Sequence, residues 1–288
     1  MTARGETCHS PQAMAFLDGV NHLPAPSGPV AEILSSLRQE NVNIPGLVRN
    51  VGQTPAVAAR IMRVANSPFF GCSGRIGSLR EAITLLGINQ VRTLVTAAAL
   101  MDVFPRGKSP LNWRDFWSHA FGTGCGSRLL AGKVGLDEDV AFTAGLLHDM
   151  GRLVMAVYAG DAFRRVEESM RGEPRSLLDA ERAVLGVTHP EIGAELARRW
   201  KFPPDIQCAI FQHHGPAESC RLPLANVVYI ANMLCLEVKR QKGAATLEVS
   251  AFIASAADCC LGISADALQK TTVELEALGA TTHLLVGA

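Results

Sequence analysis

An adjacent His-Asp pair, His148-Asp149, sits in the apolar run Gly145-Leu-Leu-His-Asp-Met-Gly151, and its residue types suit a divalent metal ion. His119 lies upstream in Phe116-Trp-Ser-His119, and His189, His213 and His214 follow downstream. Imidazole combined with carboxylate favours iron, manganese or zinc over calcium. Such an ion lowers the pKa of a bound water and clamps phosphate oxygens, which is the chemistry of a phosphohydrolase. A single helix offers ligands only along its i, i+3/i+4 face, so groups this far apart in sequence must arrive on several helices. Taken singly, each histidine reads as a half-buried ring bonded to backbone. Taken together, they must share a pocket or bury unpaired polar rings at about 1–3 kcal/mol each.

The elements that must position these residues read as helices. From Pro29, Val30, Ile33, Leu34 and Leu37 recur at i, i+3, i+4, i+7. A short helix around Leu47, Val48 and Val51 follows, and Pro55 then sits where a first-turn proline belongs. Val57, Ile61, Val64 and Ala65 line the inner face of that next helix. Ser78 with Glu81 forms a capping-box signature, and Gly87 closes the helix it starts. Another helix runs from about Asn89 towards Val103. Two prolines and a glycine in Phe104–Pro110 mark a linker. Beyond it, helices are expected at about 111–134, 138–158, 161–171, 176–186, 190–200, 204–214, 222–239, 247–260 and 265–278. Strand alternation is absent, so the chain is expected to be all-α. The expected organisation is a loose arm over 1–27, an N-terminal helical subdomain over 28–105 and a second helical subdomain over 106–288.

Bulk composition narrows the function classes. The 288 residues are 48% hydrophobic, enough for a substantial core. Lys+Arg and Asp+Glu are both 27, which argues against nucleic-acid binding by bulk charge. The apolar runs near Leu94–Leu100 and Val227–Val238 are shorter than the ~20 residues a bilayer requires, and no signal peptide opens the chain. Eight scattered cysteines without a CxxC pair predict reduced thiols and a cytoplasmic protein.

The chain also resembles a known family. Arg60-Ile-Met-Arg-Val-Ala-Asn-Ser-Pro68-Phe-Phe-Gly71 and Ser78-Leu-Arg-Glu-Ala-Ile-Thr-Leu-Leu-Gly87 resemble two signatures of the HDOD domain, the "HD-related output" relative of HD and HD-GYP phosphohydrolases. Gly145–Arg152, Glu181, Gly186-Val-Thr-His189, Gly193 through Trp200 and His213-His214 extend the likeness over about 23–240. The resemblance implies a helical bundle packed on a degenerate HD bundle covering 106–288. Carried over, the HD pattern makes His119, His148 and Asp149 primary metal ligands, and its closing aspartate falls at Asn232. His189, His213 and His214 resemble the further ligands of the HD-GYP branch, but Gly215-Pro216 replaces that branch's acidic residue and loop. The usual lysine after His-Asp-x-Gly is Arg152, a pocket and phosphate-contact candidate. Asn232 is expected to be a buried amide bonded to a neighbouring ring. Asn66 and Ser67 are expected to serve as a structural signature that caps a helix end.

These features imply a stand-alone bacterial signal-transduction module that is non-catalytic and needs no cofactor. It would act through a signalling protein in trans or a small nucleotide effector. The alternative is a phosphohydrolase or phosphodiesterase using a divalent ion, iron, manganese or zinc, on a nucleotide. A nucleotide pocket without turnover is a third reading.

Overall fold

Small polar caps, prolines and glycines set the helix ends. The computed structural model describes residues 10–20, 43–67, 74–103, 109–172, 175–215, 223–241 and 249–286. The expected helix over Val30–Leu37 and most of the expected linker lie outside them. Every regular element among the described residues is helical. The chain forms two units, Met1–Leu23 with Pro105–Val273, and Pro24–Phe104 with Glu274–Ala288.

In the second of these units, α2 (Ile44–Gly52), α3 (Pro55–Ala65) and α4 (Leu79–Val103) pack on one another. Val57, Ile61, Val64 and Ala65 are buried, as their spacing predicted, with Leu47, Val51 and Ile83. The Ser78–Glu81 capping box is formed in both directions. Gly87 breaks α4 at φ 75°, ψ 164°, a conformation that a side chain would strain. The Asn66 side chain donates to the carbonyls of Met62 and Ile76 and accepts from the Ile76 backbone N–H, pinning the turn at 74–77 to the end of α3. Ser67 is buried beside it and its Oγ has no hydrogen-bond partner among the described residues. Asn66→Ala, which removes three bonds, is expected to cost about 2 kcal/mol in a urea titration.

The other unit begins with α1 (Pro11–Asp18), capped by Ser10. The arm was expected to be loose throughout. Instead, Ala13 and Leu17, one turn apart, are buried, and Arg199 reaches both Asp18 Oδ1 at 2.6 Å and the Met14 carbonyl at 3.3 Å. A helix this short gives little periodic signal, and a partner 181 residues away in sequence fixes it.

The body of this unit comprises α5 (Trp113–Val134), α6 (Glu138–Leu147), α7 (Met150–Tyr158), α8 (Gly160–Gly172), α9 (Leu177–Leu185), α10 (His189–Arg199), α11 (Pro204–Gln212) and α12 (Pro223–Arg240). Two further helices follow in the chain, α13 (Ala251–Leu261) and α14 (Ala265–Val286), the latter belonging to the other unit from Glu274 onward. α5 packs along α6 and α12, α11 packs on α6, α10 and α12, and α7 packs on α10. Close approach of α5 and α6 depends on Gly124 and Gly145: a Cβ on Gly145 would lie 2.7 Å from the Thr123 carbonyl oxygen.

The sequence suggested one helix over 138–158. The structure divides it at His148-Asp149 into α6 and α7. Glu138–Tyr158 has the length and hydropathy of a membrane span, but 83% of its apolar window is buried inside the protein, so it is the core of this unit. Cys125 and Cys235 are free thiols, whereas Cys208 on α11 is disulfide-bonded. The reduced state expected of the cysteines therefore fails at Cys208, because scattered spacing cannot reveal a pair that only folding brings together.

Candidate metal centre

The break between α6 and α7 is what makes a site. His148 and Asp149 occupy the corner between the two helices, and Asp149 has φ −96°, ψ 11°. Gly151 lets α7 cross α10 at contact distance, since a Cβ there would lie 2.0 Å from the His189 carbonyl oxygen. This crossing brings Asp149 to His189, the first residue of α10, while His213 and His214 arrive from the end of α11 and His119 from α5.

Asp149 is the hub. Its Oδ1 lies 3.2 Å from His189 Nε2 and 3.3 Å from His213 Nε2. Its Oδ2 lies 3.6 Å from His148 Nε2, 3.7 Å from Arg152 Nη1 and 4.0 Å from His119 Nε2. His189 Nε2 is in turn 3.2 Å from His213 Nε2 and 3.0 Å from His214 Nε2. Two overlapping ligand groups result, one of Asp149, His189, His213 and His214 and one of His119, His148 and Asp149. All six sequence-predicted ligand candidates are therefore brought together, with Arg152 beside them.

The outer hydrogen bonds orient the rings. His148 Nδ1 and His213 Nδ1 each lie 2.7 Å from a backbone carbonyl three residues back, Gly145 and Ile210. A carbonyl only accepts, so these Nδ1 atoms carry the proton and each Nε2 presents a bare lone pair inward. His148 Nε2 is fully buried without a hydrogen-bond partner among the described residues. His189 is held differently: both Glu181 oxygens lie 2.8 Å from its Nδ1, and Glu181 Oε2 accepts from its backbone N–H at 2.9 Å. Sequence reasoning gave Glu181 no role beyond a family motif. Its one available signal was a carboxylate next to the buried Ala180 on an otherwise amphipathic helix.

Burial pushes the His148 and His119 rings towards the neutral form despite the Asp149 charge. His214 reaches solvent, but desolvation of its inner edge, with His213 and His189 close by, pushes its pKa down to about 2. Burial works to raise the Asp149 carboxyl, yet the His148, His189 and His213 rings around it hold it well below the usual carboxylate range. For His189 burial favours neutrality, and Glu181 with Asp149 outweighs it, raising the pKa. The result is one ionised carboxylate facing the neutral rings of His119, His148 and His214, while His189 favours the protonated form, whose proton a bound ion would displace.

Arg152 stacks over Phe163 at 5.9 Å, and its side chain is 27% exposed. Asn232 lies on the buried stretch of α12, 5% exposed. Its amide oxygen Oδ1 has no hydrogen-bond partner among the described residues. Asn66 and Ser67 belong to the other unit and serve local structure there.

An all-α fold with a His-Asp corner fed by histidines from three other helices is the architecture of an HD-type helical domain. Its particular branch follows from comparison with known proteins. The HDOD domain model matches residues 23–216, and the chain belongs to the HDOD family. It is similar to an HDOD domain protein of unknown function from Geobacter sulfurreducens, with TM-score 0.75, 26% identity and 96% of each chain covered. A candidate phosphohydrolase from Shewanella amazonensis SB2B shares the fold, with TM-score 0.80 at 23% identity, covering 98% of this chain and 100% of that one. An uncharacterised protein of Treponema pallidum is 27% identical over 229 residues. That match takes in 77% of this chain, which spans 44% of the relative's length.

Proposed function

We propose that this protein is a bacterial signal-transduction module of the HDOD type. In this reading it holds a divalent ion in the His–Asp cluster and acts through a protein partner in trans or a phosphate-bearing effector rather than through turnover. One observation carries the reading. The ring lone pairs and Asp149 converge in a buried cluster suited to a cation, yet Asp149 is its one carboxylate ligand among the described residues, and the likeness to the HD pattern puts the neutral amide of Asn232 where that pattern closes with an aspartate. The donor set fits iron, manganese or zinc. Asp149, shared by the two ligand groups, would hold the ion with histidines drawn from His119, His148, His189, His213 and His214. When bound, it would supply Lewis acidity towards a phosphate oxygen.

A second reading, a metal-dependent phosphohydrolase acting on a nucleotide, is favoured by Arg152. Its partly exposed guanidinium lies 3.7 Å from Asp149 Oδ2, beside the ligand group and within reach of an anion. Elemental analysis of tag-free protein purified without chelator, with a capture experiment in the native host, tests both readings. Near-stoichiometric metal lost on His213→Ala, a specific signalling partner and no nucleotide hydrolysis are the expected results. A metal-free folded protein would sink the metal reading, and sustained hydrolysis would replace the regulatory reading with the enzymatic one.

A further inference from the structure

The two ligand groups are not equivalent. Zinc or another small divalent ion binds nitrogen and oxygen at about 2.0–2.1 Å, so tetrahedral ligand atoms stand about 3.3–3.4 Å apart. In the group of Asp149, His189, His213 and His214 four of the six separations are 3.2, 3.3, 3.2 and 3.0 Å, and all lie within 4.8 Å. This group is already drawn to the size of a single-ion shell. In the group of His119, His148 and Asp149 the separations to Asp149 are 4.0 and 3.6 Å, and Asn232 brings no charge to the position that would close it.

Charge points the same way. Two buried carboxylates serve the compact group: Asp149 directly, and Glu181 through His189, at 4% and 1% exposure. Together they balance one divalent ion. The looser group has no carboxylate of its own beyond the shared Asp149, and Arg152 already stands against that oxygen. A second dication there would be a buried, uncompensated charge, and such charges are strongly disfavoured.

We infer that the protein binds one divalent ion per chain, in the pocket of Asp149, His189, His213 and His214, with Glu181 as the positioning residue that supplies, through His189, the negative charge missing at Asn232. Glu181 fixes the tautomer and orientation of His189 and raises its basicity as a ligand. His119 and His148 flank the ion without being needed to hold it. The inference rests on the metal reading above and goes further by giving the number of ions, their place and the outer-sphere group.

The test uses the full chain, stripped with chelator and titrated with Co(II) and Zn(II). Metal per chain is counted by elemental analysis, and the visible bands of four-coordinate Co(II) report the ligand shell. The wild type is expected to take up one ion with a four-coordinate spectrum. His119→Ala should keep that ion and spectrum with less than about threefold loss of affinity, while His213→Ala should lose both. Because His213 is fully buried and its variant could misfold, the partly exposed His214→Ala serves as the second probe and should change the Co(II) spectrum. Glu181→Gln should weaken binding about 10–100-fold with an unaltered circular dichroism spectrum. Two ions per chain, loss of the ion in His119→Ala, or unchanged affinity in a folded Glu181→Gln protein would each overturn the assignment while leaving the metal reading standing. A wild type that takes up no metal would overturn both.

Discussion

Gly151→Ala is expected to dismantle the site and destabilise its unit by about 3 kcal/mol or more, although the change adds one methyl group. The added Cβ would meet the His189 carbonyl oxygen at 2.0 Å, the His189 carbonyl carbon at 2.8 Å and the Gly193 nitrogen at 2.9 Å. All three are backbone atoms, so no rotamer change relieves the overlap, and α7 must move away from α10. That movement opens the pair between Asp149 Oδ1 and His189 Nε2, now 3.2 Å, and with it the compact ligand group. Urea unfolding followed by circular dichroism, with metal content measured in parallel, should show a lowered midpoint and lost metal together. Gly52→Ala is the matched control: a Cβ there has nothing within 4 Å, and the midpoint should move by less than about 1 kcal/mol. If Gly151→Ala keeps both stability and metal, the close crossing does not build the site.

The fold was readable in sequence wherever local chemistry decides it. Pro55, the Ser78–Glu81 box and Gly87 each terminate a helix through their own backbone or side-chain bonding, so they act alike in any tertiary context. The misses share a different cause. α1 is held by Arg199, the break at His148-Asp149 is held by the crossing of α7 on α10, and the Cys208 bond needs a partner supplied by folding. None of these leaves a mark within a window of a dozen residues. The break is the instructive case, because residues 138–158 are predominantly apolar and read as continuous helix until packing turns them.

The candidate site was legible as an inventory and illegible as a geometry. Residue type and resemblance gathered His119, His148, Asp149, His189, His213 and His214. Neither could say that Asp149 is shared, or that one group is tight and the other loose. Glu181 escaped because an outer-sphere carboxylate has no spacing rule relative to the ring it orients. Here it lies eight residues before His189 and reaches it only because Gly186, at φ 72°, turns the chain from α9 towards α10.

Asn232→Asp is expected to convert the site from one ion to two and to make the protein depend on metal for stability. The amide oxygen of Asn232 is buried without a hydrogen-bond partner among the described residues, so the position already carries the cost of an unsatisfied acceptor. A carboxylate there adds the charge that the group of His119, His148 and Asp149 lacks. Without metal, a further buried acid in the unit that already buries Asp149, Glu181 and Glu195 is uncompensated, and the stripped variant should be less stable than the stripped wild type by about 3 kcal/mol. With metal that deficit is largely offset, because a ligand binding only the folded state stabilises it by RT ln(1 + [L]/Kd), about 2.7 kcal/mol at a hundredfold excess over Kd. The stripped variant should therefore unfold at lower urea than wild type, and metal should raise its midpoint more than it raises that of wild type. Elemental analysis should find two ions per chain in place of one. The second should vanish in the double variant His119→Ala, Asn232→Asp, while the first remains on Asp149, His189, His213 and His214. A variant that is as stable as wild type when stripped, and binds no additional metal, would show that α12 does not bring residue 232 to the ligand position. The likeness to the HD pattern would then end at Asp149.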